Sequence, residues 1–195
     1  MESTLLVQSG RSLILTSAQL MANQLLTGIK LCPLKFQVLY GGLCRVEFWL
    51  LLPVELESRG ILVNSLLCSL CIGQKESVDH VLICCPFAHE IRENIMRWCG
   101  VSLNHRSLQT TKELLQSISA WGSCPKKRKR LTIIIYGMLW CIWRYRNKRL
   151  FSNEGVSLLQ GISGIKTIVF LWCKHRGSKT MCNWEEWVGS PFSGL

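Results

Sequence analysis

Cys68, Cys71, His80 and Cys85 follow one another in the arrangement Cys-x2-Cys-x8-His-x4-Cys. Three thiolates and one imidazole make a full tetrahedral donor set for zinc, with no position left for water or substrate. Such a site is structural rather than catalytic. In small modules the ion contributes on the order of 10 kcal/mol to folding at neutral pH. The fourth ligand has a rival, because Cys84 lies four residues after His80, the same-face distance on an α-helix, and Cys85 lies five after.

The flanking residues indicate which elements would position this cluster. Gly73, just past Cys71, is expected to supply a positive φ in a tight knuckle. Ser77 can cap a helical turn carrying His80, and Pro86 can open a helix reaching Trp98, with Phe87, Ile91, Ile95 and Trp98 along one stripe. Gly100 then stops it. Upstream, residues 12–29 read as a helix and residues 32–52 as an apolar stretch that is either helix or strand. Pro53 can open a short helix ended by Gly60. Downstream, a helix is expected over 112–121, then a break at Gly122, Ser123 and Pro125, then the run Lys126-Lys127-Arg128-Lys129-Arg130. Residues 131–151 carry a helical pattern with Ile135, Met138, Leu139, Ile142 and Trp143 on an apolar face and Arg144 and Lys148 on another. An amphipathic stretch over 162–173 leads to a tail that Trp184 and Trp187 would anchor. The expected fold class is mainly α: a small helical domain with a Cys-Cys-His-Cys zinc-knuckle element.

Composition narrows the classes of function. The chain has 195 residues, 48% of them hydrophobic, and 23 Lys and Arg against 12 Asp and Glu give a net charge of +11. A basic excess favours polyanions, nucleic acid above all, through phosphate neutralisation. The 11 cysteines are odd in number and do not form the pattern of a secreted disulfide framework. Glu2 and the polar residues Gln8, Ser9 and Arg11 do not fit a secretory signal, so a reducing compartment, nuclear or cytoplasmic, is expected. No apolar run approaches the roughly 20 residues of a membrane span, so no membrane association is expected.

Two segments resemble a known family. Residues 67–91, LCSLCIGQKESVDHVLICCPFAHEI, look like the zinc-binding domain at the C-terminal end of plant non-LTR (LINE-type) retrotransposon reverse transcriptases. The family pattern, Cys-Pro-x-Cys-Gly, Glu-Ser or Glu-Thr, then His-x4-Cys-Pro-Phe-Ala, is met by Cys68, Cys71, Glu76, Ser77, His80, Cys85, Pro86, Phe87 and Ala88. Trp140, Trp143, Arg146, Asn147 and Phe151 are similar to its Trp-x2-Trp-x2-Arg-Asn-x3-Phe segment. The resemblance, like the helix break at Pro86, favours Cys85 over Cys84 as the fourth ligand, leaving Cys84 as a small buried hydrophobe. Arg92 stands where the family has Trp, Ser69 replaces the knuckle Pro, and residues 41–53 depart from the family wording. The implied organisation is an N-terminal helical arm over 1–29 and a reverse-transcriptase-type zinc-binding domain over 30–100. A polar and basic linker containing a helix follows over 101–130, then a C-terminal helical region with a Trp-rich tail over 131–195.

Asp79 is the only aspartate in the chain. Polymerases and RNase H-type nucleases hold paired metal ions with several carboxylates, so neither activity is expected, nor any small-molecule substrate. The function read from the sequence is a non-catalytic module that binds RNA or single-stranded DNA. Lys126, Lys127, Arg128, Lys129, Arg130, Arg144, Arg146, Lys148 and Arg149 would meet the phosphates. The basic run equally reads as a nuclear-import signal or a solvated loop, and Arg146 and Asn147 equally as bridges between helices. A zinc-stabilised protein-interaction module and a degenerate retroelement relic are the alternatives.

Overall fold

The chain divides into two units, Met1–Arg45 and Val46–Leu195. The computed structural model describes residues 57, 60, 65–102, 108–176, 183–193 and 195, all in the second unit. The expected helix over 12–29 and the apolar stretch over 32–52 lie outside the described residues, as do His105 and the side chains of Phe151 and His175. Of the expected helix after Pro53, Glu57 is helical and Gly60 adopts φ +75°, its N–H donating to the Glu57 carbonyl at 2.9 Å.

The described residues are mainly helical, with no strand among them beyond one antiparallel bridge between Leu67 and Lys75. A π-helical turn, His80–Cys84, precedes α1 (Pro86–Trp98), α2 (Thr111–Ser119), α3 (Pro125–Ser152), α4 (Leu158–Arg176) and α5 (Trp184–Gly189). Prolines open α1 and α3, where a missing N–H costs no helical bond. Gly100 ends α1 with φ +62°. A capping box starts α2: Thr110 Oγ1 accepts from the Glu113 N–H while the Glu113 carboxylate accepts from the Gln109 and Thr110 N–H groups. Those bonds hold the Glu113 carboxyl below its ordinary pKa.

Helix α3 is the centre of the unit. Its 28 residues begin at Pro125, so the basic run is the first turns of a helix and not part of a linker. The sequence pattern predicts one apolar face, yet Leu131, Ile134, Ile135 and every residue from 138 to 143 are buried. A helix covered on nearly all sides lies inside a bundle rather than on its surface. Its largest neighbour is α4. Gly137 faces Val169 and Trp172, and Tyr145 faces Gly161 and Gly164, a pairing that runs the two helices antiparallel. Tyr145 donates to the Gly161 carbonyl at 3.0 Å. Helix α1 packs on the same pair, with Phe87 edge-on to Tyr145 at 6.4 Å. The tail is anchored as expected by Trp187, which is fully buried, stacks edge-on with Trp98 at 5.2 Å and donates to the Lys166 carbonyl. Trp184 contributes less, remaining 41% exposed against Phe170.

The α3–α4 contact depends on one missing side chain. A Cβ added at Gly137 would lie 2.3 Å from Val169 Cγ2 and 3.3 Å from the Trp172 ring. Gly137→Ala should therefore lower stability by about 1–3 kcal/mol through overpacking, although Ala is the better helix former by about 1 kcal/mol. Guanidinium denaturation followed by circular dichroism measures the shift in midpoint.

Candidate metal centre

The metal segment is built in two halves. The first is a knuckle, in which the Cys68 N–H donates to the Gln74 carbonyl at 2.8 Å, the Ile72 N–H to the Cys68 carbonyl at 2.8 Å, and the Glu76 N–H to the Leu66 carbonyl at 2.7 Å. The chain thus doubles back within a few residues and aims Cys68 and Cys71 inward. The positive φ expected at Gly73 falls instead on Ile72, at +58°. A β-branched residue there carries strain of order 1–3 kcal/mol. Its side chain is 66% exposed, so burial does not offset it.

The second half is the π-helical turn. The Ser77 hydroxyl accepts from the His80 N–H at 3.1 Å, the cap expected from the sequence. The Cys85 N–H then donates to the His80 carbonyl at 2.6 Å, a bond that spans five residues rather than four. This wider turn decides which cysteine joins the cluster. In an α-helical turn Cys84 would share a face with His80; in the π turn Cys85 does. Cys84 points away, exposed, its thiol on the Gln109 carbonyl at 3.3 Å, and is not the buried hydrophobe the sequence predicts. Arg92 supports the turn from α1. It is 1% exposed, and its Nη1 donates to the Ile83 carbonyl at 2.9 Å. The charge at this position of the core therefore satisfies a carbonyl of the π turn, and its burial pulls the guanidinium pKa down.

The two halves bring Cys68, Cys71, His80 and Cys85 together, with one donor atom from each and all four atoms within 4.8 Å of one another. Cys68 Sγ lies 4.0 Å from Cys85 Sγ, and Cys71 Sγ lies 3.3 Å from His80 Nε2. Cys68, His80 and Cys85 are buried and Cys71 is half-buried. The cluster could hold a metal ion. The Cys68 thiol lies against Cys85, and that contact together with burial pushes the Cys68 pKa up. Burial holds His80 below its ordinary value of 6.5, in the neutral form that ligates. Its Nδ1 is buried without a hydrogen-bond partner, which leaves Nε2 as the nitrogen facing the thiols.

Around the cluster, Asp79 Oδ1 accepts from the N–H and the hydroxyl of Thr111 at 2.8 and 2.9 Å, joining the metal segment to the start of α2. Glu76 and Arg146 form an ion pair in which both side chains are 1% exposed. Arg146 Nε donates to Glu76 Oε2 at 3.1 Å and Nη2 to Oε1. Sequence reasoning gave Glu76 no role. The signal for it was present in the resemblance, since Glu76 and Arg146 sit in the two matched segments.

The basic residues divide differently from the expected strip. Arg146 is buried in its ion pair with Glu76, which ties α3 to the knuckle rather than to another helix and leaves its guanidinium turned inward. Arg128 turns back to donate to the Trp121 and Gly122 carbonyls just past the end of α2. Arg130 donates to the Pro191 and Ser193 carbonyls of the tail at 3.0 and 3.2 Å. Lys126, Lys127 and Lys129 are exposed. Towards the other end of α3, Arg144 and Arg149 are half-buried, and Lys148 is exposed and paired with Glu154 at 2.7 Å. Lys129 and Arg144 are 15 residues apart along α3, or about 22 Å at the α-helical rise. Apart from the buried Arg146, these residues therefore lie at two separate ends of α3. No described helix is long and apolar enough to cross a membrane.

No family profile, curated protein or solved structure matches this chain.

The π turn makes a clear distinction between adjacent cysteines. Cys84→Ser should retain about one bound divalent ion per chain, whereas Cys68→Ser, His80→Ala and Cys85→Ser should each lose it. Elemental analysis of the purified variants measures this.

Proposed function

We propose that the cluster holds zinc and that the chain is a non-catalytic, zinc-stabilised module that binds RNA or single-stranded DNA, like the retrotransposon domain it resembles. The donor set supports zinc. Tetrahedral bonds of about 2.3 Å to sulfur and 2.0–2.1 Å to nitrogen separate neighbouring donors by about 3.8 Å for two sulfurs and 3.6 Å for sulfur and nitrogen. The distances here, 4.0 and 3.3 Å, bracket those values. Three thiolates select a soft or borderline ion over magnesium or calcium. Zinc so held supplies a cross-link and no reaction.

The observation that carries the nucleic-acid reading is a net charge of +11 with Lys126, Lys127 and Lys129 exposed on the first turns of α3. Three cations at the positive end of a helix dipole repel one another and the dipole. A polyanion relieves that repulsion by replacing it with phosphate contacts and releasing counterions. Arg144, Lys148 and Arg149 offer a second contact about 20 Å or more away along the helix, a separation that an extended single strand of several nucleotides spans. The carboxylate that a polymerase or nuclease would need is engaged elsewhere: Asp79, the only aspartate, caps α2.

A protein-binding module is the second reading. It is favoured by Ile72, at 66% exposure, and Leu159, at 80% exposure, which present apolar surface to solvent.

Fluorescence anisotropy with a labelled single-stranded RNA separates the two. On the nucleic-acid reading log Kd rises linearly with log salt, and Lys126→Gln/Lys127→Gln/Lys129→Gln weakens binding about tenfold or more and flattens the slope by roughly two to three units. Affinity independent of salt, or unchanged in the triple variant, rejects it. Retention of a protein partner after nuclease treatment, without RNA binding, supports the second.

A further inference from the structure

The buried ion pair between Glu76 and Arg146 lies outside the four ligands and outside any surface a nucleic acid could reach. Its position is unusual in one respect. Glu76 belongs to the knuckle, four residues before His80, and its carboxylate also accepts from the Ser69 N–H at 3.4 Å, between Cys68 and Cys71. Arg146 belongs to α3, the central helix, and its own carbonyl accepts from the Ser69 hydroxyl at 3.4 Å. A third contact fixes the guanidinium, with Nη1 donating to Asn147 Oδ1 at 2.8 Å. The knuckle is therefore held on α3 by a two-pronged charged bond and a returning hydroxyl bond at the same residue.

Charge explains why the pair is needed. A divalent ion among three thiolates and a neutral imidazole leaves the filled centre with a net negative charge of one. Glu76 adds a second negative charge beside it, its carboxylate accepting from the Ser69 N–H between Cys68 and Cys71. A lone buried carboxylate beside an anionic centre is unfavourable. The Arg146 guanidinium cancels it and fixes its geometry through two parallel bonds.

The geometry points to Arg146 as the positioning residue of the metal centre: through Glu76 it sets the knuckle in the conformation that binds the ion, and it joins metal occupancy to the seating of the knuckle on α3. Arg146 acts through Glu76. This inference rests on the metal-binding reading. It adds that affinity for the ion is written partly into a residue 61 positions beyond the last ligand, Cys85.

The test is competition between the full-length protein and a chromogenic zinc chelator, with thermal unfolding measured in parallel on the zinc-loaded and stripped forms. Five variants are compared with wild type: Arg146→Met, Arg146→Lys, Glu76→Gln, the Arg146→Met/Glu76→Gln double variant, and Val169→Ala, which loosens the α3–α4 contact away from the knuckle. Arg146→Met and Glu76→Gln should each weaken zinc binding about 10–100-fold, the usual consequence of losing a partner behind a metal ligand. The double variant should be no worse than the weaker single, because no buried charge is left alone. Arg146→Lys should recover part of the affinity. Val169→Ala should lower the melting temperature while leaving zinc affinity within about twofold of wild type. Arg146→Met binding zinc as tightly as wild type overturns the inference, as does Val169→Ala losing as much affinity as Arg146→Met at equal loss of stability. Wild type binding no zinc at all overturns instead the metal reading beneath it. Should Arg146→Met fail to fold, the double variant and Arg146→Lys decide the matter by the same criteria.

Discussion

The bond from the Cys85 N–H to the His80 carbonyl sets the terms for everything around it. By spanning five residues it turns two side chains, His80 and Cys85, to the same side of a short segment and throws Cys84 to the other. Without it the knuckle would present two thiols to an incomplete partner set. With it, four donor atoms converge within a space that could hold one metal ion. Wider helical turns of this kind are rare because they align the backbone bonds less well. This one is held at three points: the Ser77 cap before it, Arg92 on the Ile83 carbonyl beside it, and Pro86, which ends it by opening α1.

Around that turn, the polar groups of the structure are arranged to fasten the metal segment to helices. Asp79 fastens it to α2, Glu76 and Ser69 fasten it to α3, and Arg92 fastens it to α1. Glu76, Arg146 and Arg92 are buried in these contacts and Asp79 is half-buried. Such groups add little net stability over apolar packing but are costly to leave without a partner. Their effect is to allow one arrangement of the segment and penalise others. The helices behind them are held by ordinary packing: aromatic edges at Trp98, Trp187, Phe87 and Tyr145, and close approach of backbones at Gly137.

The parts of this architecture legible in the sequence were those set by local rules. The helix from Pro86 to Trp98, the Ser77 cap, the stop at Gly100 and the Trp187 anchor follow from caps, breakers and periodicity, and the structure has them. The ligand set was legible from spacing, although a choice between Cys84 and Cys85 needed the backbone, since periodicity assumes an α-helix and the turn is not one. Three readings failed for reasons beyond local pattern. Gly73 was expected to take the positive φ because glycine does so most easily, but the hydrogen bonds of the knuckle impose it on Ile72. The basic run was read as a linker because cations oppose a helix start, yet Pro125 opens the helix there and Arg128 and Arg130 find carbonyls on the loop after α2 and on the tail. Arg146 was counted among the phosphate contacts because it sits in a basic stretch. Its partner, Glu76, is 70 residues away in sequence, and no periodicity reports a contact at that distance.

On the proposed reading, three sulfurs and one imidazole nitrogen, and nothing else, surround one ion. X-ray absorption at the zinc edge, on protein purified without added chelator, tests it most directly. The expected result is three sulfur neighbours at about 2.3 Å and one nitrogen at about 2.0–2.1 Å, with the same spectrum in Cys84→Ser. A fit requiring an oxygen or water ligand, only two sulfurs, or a spectrum altered by loss of Cys84 would contradict it.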